Sequence, residues 1–84
     1  MEWTVTSSEI WLTSVDITWT REYDGINQRL CVMVHNEVMY CRAYQWTTYG
    51  STRSFYMEVD RQHIINNKEV SELFNTVYFN GTAD

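Results

Sequence analysis

Two turn signals fix the register of three strands in this chain. Asp24-Gly25 and Asn36-Glu37 each separate segments in which apolar and polar residues alternate. Alternation with a period of two is typical of a half-buried strand. Asp-Gly tolerates the positive φ that a type I′ hairpin turn needs. We therefore predict strands over residues 15–23, 26–34 and 38–49, joined by two-residue loops.

These loops place apolar residues opposite apolar residues. The expected pairs of the first hairpin are Tyr23–Ile26, Trp19–Leu30, Ile17–Val32 and Val15–Val34. The expected pairs of the second hairpin are Val34–Met39, Val32–Cys41 and Leu30–Ala43. A slip of one residue would turn every side chain to the other face, so the register is well determined. One sheet face is therefore an aliphatic core.

A fourth strand is expected over residues 53–59, and its register has two alternatives. A two-residue loop at Gly50-Ser51 would turn Phe55, Met57 and Val59 away from the core. A three-residue loop, Gly50-Ser51-Thr52, would place them on the core face. We prefer the three-residue loop because it keeps one continuous core. In that register the neighbours of these side chains are Ala43, Gln45 and Thr47.

The alternation that predicts a strand is weaker in the N-terminal segment. Trp3 and Val5 alternate, but residues 10–12 are apolar and out of phase with Val15. A bulge or bend near Thr13-Ser14 would reconcile the two phases. Either the first strand is long and bent, or a short separate strand precedes it.

The C-terminal segment changes to a helical period. The apolar residues Val70, Leu73, Phe74 and Val77 follow the i, i+3, i+4, i+7 spacing of an amphipathic helix. Asn66 and Glu69 match a capping box, with Asn66 as the N-cap. Ile65 and Val70 occupy the hydrophobic-staple positions, and Asn80-Gly81 is a stop signal.

The helix needs an apolar surface to pack on, and the aliphatic sheet face is the one available. The predicted fold is therefore α+β, a four-stranded antiparallel meander with one C-terminal helix packed on one face. A fifth, N-terminal strand is the alternative. The 84 residues form a single domain, 1–84.

Charge and hydropathy narrow the classes of partner. The net charge of -5 disfavours nucleic acid, because the long-range field repels phosphates. No basic N-terminal segment with a long apolar run is visible, and no window approaches the ~20 apolar residues of a membrane span. We expect a soluble, cytoplasmic protein without a membrane partner.

No residue pattern predicts a catalytic or metal site. Cys31 and Cys41 fall on opposite faces, so a disulfide between them is excluded and both should be thiols. Cys31 and His35 share a face but are about 13 Å apart at the strand rise, beyond hydrogen-bond reach. His63 is interpreted as a loop histidine. We expect no cofactor, no metal and no enzymatic activity, unless a partner chain completes a site.

The face opposite the core is the remaining signal, because it carries aromatic and arginine side chains. The candidate partner-binding residues are Arg29, Met33, Tyr40, Arg42, Tyr44, Trp46 and Tyr56. These residue types are enriched at interaction hot spots, and a contiguous patch of them is typical of an interface. Two structural alternatives remain: the N-terminal segment covers this face, or the aromatic pairs only stabilise the sheet.

The leading functional hypothesis is a small acidic, non-enzymatic module that binds another protein, as an inhibitor or adaptor. Stand-alone domains of this size without catalytic motifs are frequent among phage and mobile-element anti-defence proteins, which include anti-CRISPR proteins. The alternative is a single-stranded nucleic-acid binder that stacks bases on the same aromatic side chains. Self-association through this face or through an edge strand is a further hypothesis.

Overall fold

A computed structural model describes residues 2–60 and 66–84. In it, six antiparallel strands lie side by side in chain order and one helix packs on one face of the sheet. The strands are β1 (Thr4–Ile10), β2 (Ser14–Tyr23), β3 (Ile26–His35), β4 (Val38–Thr47), β5 (Arg53–Val59) and β6 (Thr82–Ala83). The helix, α1 (Val70–Asn80), crosses β4 and β5. The predicted α+β meander with a C-terminal helix is confirmed.

The two hairpins have the predicted register. Every expected pair between β2 and β3 and between β3 and β4 is present. Both turns have positive φ at both central residues, with 50° and 77° at Asp24 and Gly25, and 50° and 66° at Asn36 and Glu37. Left-handed conformations at both positions are what a type I′ turn requires. The turn chemistry and the apolar pairing therefore agree.

The β4–β5 pairing keeps the predicted face but not the predicted register. Phe55, Met57 and Val59 do lie on the core side, but their partners are Ala43, Cys41 and Met39 in that order. The predicted register was wrong by four residues, because the connection between Thr47 and Arg53 is longer than a three-residue loop. The observed register sets the Phe55 ring beside the small Ala43, where the ring of Tyr78 meets it edge-on at 4.8 Å.

The N-terminal segment forms a separate strand rather than an extension of β2. β1 pairs with β2 at the edge of the sheet, so it does not cover the face opposite the helix. The irregularity lies between Val5 and Ser7 and not near Thr13-Ser14. The phase change at residues 11–13 is instead a turn, which a hydrogen bond from the Trp11 amide to the Ser14 carbonyl closes at 2.8 Å.

The helix buries the predicted stripe, in which Val70, Leu73, Phe74 and Val77 are all buried. They join a core formed with the sheet residues Ile17, Trp19, Leu30, Val32, Met39, Cys41 and Ala43, and with Trp3. Trp3 reaches this core from the residue before β1, and its ring lies 5.5 Å from that of Phe74. The helix-side face is thus the core of the molecule, as the alternation predicts.

The helix begins one turn later than predicted. Its N-cap is Glu69 rather than Asn66, and the Glu69 side chain makes no capping bond to the helix. Only half of the predicted capping box forms, in the preceding turn: the Asn66 amide donates to Glu69 Oε2 at 3.1 Å. The Asn66 side chain accepts from the Lys68 amide at 2.9 Å rather than from the Glu69 amide, which donates to the Asn66 carbonyl. The staple residue Ile65 lies outside the described residues.

The stop signal ends the helix at Asn80 as predicted, but by a different geometry. Gly81 is extended, with φ -75° and ψ 173°, rather than left-handed. A Cβ at this position would come within 2.7 Å of the Tyr56 carbonyl oxygen. Glycine is therefore required because the chain passes close to β5, where it forms β6, a strand that the sequence did not predict.

A polar ladder, with Gln28 buried and its other side chains partly buried, runs across the helix-side face. Arg21 Nε donates to Gln28 Oε1 at 2.7 Å, and Gln28 Nε2 donates to Gln45 Oε1 at 2.8 Å. Arg21 also reaches Ser71 Oγ on α1 at 3.2 Å, where the Trp3 indole donates a second bond at 2.9 Å. Since buried polar groups are stable only when satisfied, this ladder ties β1 and α1 to the centre of the sheet.

The capping turn gives a first prediction. Asn66→Ala should lower the free energy of unfolding by about 1 kcal/mol, because the Lys68 amide loses its side-chain acceptor. Denaturant unfolding measures this loss. Asn67→Ala is the matched control, since it changes an exposed neighbouring asparagine and should shift stability by less than about 0.5 kcal/mol. Equal losses for the two variants would contradict the stabilising role of the bond between the Lys68 amide and Asn66.

The cysteines give a second prediction. No disulfide joins them, and Cys31 is partly accessible on the face opposite the helix, whereas Cys41 is buried in the core. Under native conditions a maleimide should modify Cys31 well before Cys41. Mass spectrometry after short labelling, followed by digestion, separates the two sites. Cys41 modification at the rate of Cys31 would show that β4 does not hold the register described above.

Candidate partner-binding face

The seven candidate residues lie together on the sheet face opposite α1, which we call the aromatic face. β3 supplies Arg29 and Met33, β4 supplies Tyr40, Arg42, Tyr44 and Trp46, and β5 supplies Tyr56. The cross-strand pairs Arg29–Tyr44, Met33–Tyr40 and Arg42–Tyr56 make them direct neighbours. Alternation explains the placement, because the intervening residues of β3 and β4 are committed to the core.

The aromatic face is open. Met33 is 50% exposed, Tyr40 45% and Tyr56 42%, while Tyr44 and Trp46 are half-buried. The N-terminal segment that could have covered them lies in the plane of the sheet as β1. Contiguous exposed side chains of this size on a small domain are a feature of interaction surfaces.

Arg29 lies at one end of the face and contacts two aromatic rings. Its guanidinium carbon lies 5.6 Å from the centre of the Tyr44 ring and 5.3 Å from that of Trp46. Both distances fall within the range of a cation–π contact. Side chains that already pack against each other lose less conformational entropy when a partner binds.

Arg42 lies in the middle of the face, between Tyr40 and Tyr44 on β4. Its Nε lies 3.0 Å from the Asp84 carboxylate, and its guanidinium carbon lies 5.7 Å from the centre of the Tyr56 ring. A hydrogen bond with Tyr44 and the negative charge of Asp84 raise the pKa of Arg42 above its ordinary value. Arg42 is therefore a permanent cation at the centre of an aromatic group.

Asp84 is a residue of this site that the sequence did not indicate. Its carboxylate also accepts a bond from Ser54 Oγ at 2.9 Å, and its amide donates to the Ser54 carbonyl at 3.1 Å. These contacts depend on β6, which has two residues and no periodic pattern. Asp84 belongs to no motif or periodic pattern, so no sequence signal distinguished it from the other acidic residues.

Carboxylates flank the aromatic face. Asp16 and Glu22 stand on β2, and Glu58 stands on β5 opposite Tyr40, all three exposed. At one end the face continues into an open groove of about 580 Å³, whose lining includes Thr20, Glu22, Asn27, Arg29 and Trp46. The surface thus combines an aromatic centre, two arginines held by their neighbours, and an acidic border.

The described residues offer no metal centre of the kind built from acidic, histidine and cysteine side chains. In residues 2–60 and 66–84, no three of these side chains are grouped to hold an ion. The predicted loop histidine His63 lies outside the described residues. Within the same ranges, no helix has the length and apolarity needed to cross a membrane.

Comparisons with protein-family models, curated proteins and solved structures gave no match. The case for a function therefore rests on the contacts and exposure of the aromatic face itself.

Proposed function

We propose that this chain is a small non-enzymatic module that binds another protein through the aromatic face, and that it acts as an inhibitor or adaptor. The observation that supports the proposal most directly is the exposure of Met33, Tyr40 and Tyr56 on a face whose other rings pack against Arg29. Tyrosine, tryptophan and arginine side chains near the centre of an interface are the typical hot spots.

The charge distribution indicates the chemistry of the partner. The chain carries a net charge of -5, and the carboxylates of Asp16, Glu22 and Glu58 border the face. A partner with an apolar centre and a lysine- or arginine-rich border would match both features. Complementary borders of this kind raise association rates and exclude wrong partners.

The same charges argue against single-stranded nucleic acid. Stacked arginine and aromatic side chains can bind bases, and Arg29 beside Trp46 has that arrangement. However, the cation of Arg42 is already paired with Asp84, and the acidic border would repel phosphates. We therefore favour a protein partner and treat nucleic acid as an outcome that the experiment must detect.

Site-specific photo-crosslinking in native cell extract tests the proposal. A benzophenone amino acid replaces Tyr40 on the aromatic face or, as the matched control, Tyr49 in the fully exposed β4–β5 loop. A covalent adduct with a discrete polypeptide at position 40, and none at position 49, is the expected result. Equal adducts at both positions, an adduct with nucleic acid, or an adduct only with a second copy of this chain would contradict the proposal.

A further inference from the structure

The two edges of the sheet differ in their protection. At one edge, β6 covers Phe55 and Tyr56, and the Asp84 amide is bonded to the Ser54 carbonyl. At the other edge lies β1, and among the described residues no strand pairs with its outer side. All seven residues of β1 are exposed. Its outward backbone groups therefore form a template for another strand.

β1 lacks most of the sequence features that prevent another strand from pairing with a sheet edge. Its sequence, Thr-Val-Thr-Ser-Ser-Glu-Ile, contains one charged residue and neither lysine nor proline. The bulge between Val5 and Ser7 twists the strand near its start only. Apolar side chains also remain in solvent along this edge, with Val5 52%, Ile10 66% and Trp11 65% exposed.

We propose that β1 pairs antiparallel with β1 of a second copy of this chain, so that two six-stranded sheets join about a two-fold axis. A second copy fits because a two-fold axis brings any strand antiparallel to itself. With Ser8 on the axis, Ser7 lies opposite Glu9 of the other copy. Because the bulge between Val5 and Ser7 adds one residue, Val5 lies opposite Ile10, and both are on the helix side of the sheet. This register separates the two Glu9 carboxylates and brings exposed apolar side chains together.

The charge of the edge is compatible with a second copy. Each chain carries a net charge of -5, and Glu9 is the one charged residue of the pairing strand, so repulsion at the contact is small. A pair of strands buries less than the ~800 Å² per partner of a stable interface. Contacts of Val5, Ile10 and Trp11 beside the strands supply additional apolar area. The aromatic face takes no part in this contact.

Sedimentation equilibrium of the full chain tests the pairing. The wild type should show a monomer–dimer equilibrium, and Val5→Lys should raise the dimer dissociation constant by about tenfold or more, because edge lysines block strand addition. Thr52→Lys makes the same charge change in an exposed loop away from β1 and should leave the constant unchanged. Both variants lower the net negative charge, so general repulsion cannot explain a loss of the dimer.

A cross-linking measurement tests the register. In a Cys31→Ser background, Ser8→Cys should form an intermolecular disulfide under mild oxidation in much higher yield than Thr52→Cys. Equal yields, a monomeric wild type at all concentrations, or a dimer that survives Val5→Lys but dissociates in Tyr40→Ala would overturn the proposal. The last outcome would assign self-association to the aromatic face, so it distinguishes this proposal from the function proposed above.

Discussion

Phe74→Ala should destabilise the protein by about 3–5 kcal/mol, the largest stability effect that we expect from a single substitution. Phe74 is 1% exposed. The centre of its ring lies 5.5 Å from that of Trp3 and 5.4 Å from that of Tyr78. Removing the ring leaves a cavity between the helix and the sheet. The protein loses the free energy of burying the ring, and the unfilled cavity lowers its stability further.

Denaturant unfolding measures this loss, and Phe79→Ala is the matched control. Phe79 lies in the same helix but is 75% exposed, so its truncation should shift the free energy of unfolding by less than about 1 kcal/mol. A small effect of Phe74→Ala, or equal effects of the two substitutions, would show that α1 does not pack against β4 and β5 with this face.

Because the helical spacing identifies Phe74 and not Phe79 as buried, this contrast was readable from the sequence. The same is true of the pairs across both hairpins, where turn chemistry and alternation agree. Local signals of this kind determine a register strongly, because a slip of one residue turns every side chain to the wrong face. The shared face of Arg29, Met33 and Tyr40 followed from that register alone.

Features that depend on contacts distant in sequence could not be predicted in this way. Trp3 reaches the core because β1 lies beside β2. The Trp3 indole also donates a bond to Ser71 on the helix, 68 residues away in sequence. Arg21 and Gln28 occupy core-phase positions, but nothing local shows that their polar groups satisfy each other. The two residues of β6 are too few for any period, so the contacts of Asp84 with the aromatic face were also missed.

The β4–β5 pairing could be predicted in part: its face followed from the sequence, but its register did not. Alternation assigned Phe55, Met57 and Val59 to the correct face, but the length of the loop was misjudged. A Gly-Ser-Thr segment fits several loops equally well. The face of each side chain is unchanged when the register moves by an even number of residues, here four. Which of two such registers forms depends on packing, here on the fit of Phe55 between Ala43 and Tyr78.

The largest functional effect should come from Met33→Ala combined with Tyr40→Ala. These cross-strand neighbours are about half exposed and belong to the most accessible part of the aromatic face. If the face binds a protein partner, their loss should weaken binding by about 2–4 kcal/mol, as truncation of central hot-spot side chains does. Folding stability should fall by less than about 1 kcal/mol, because neither side chain contributes to the helix-side core.

A binding titration with the crosslinked partner and a denaturation curve measure the two quantities separately. Tyr49→Ala removes a fully exposed tyrosine from a loop and should alter neither. If the double variant loses stability by several kcal/mol, the two side chains are structural and the aromatic pairs serve the sheet. If it keeps both its stability and its affinity, the aromatic face is not the contact surface and the proposed function is wrong.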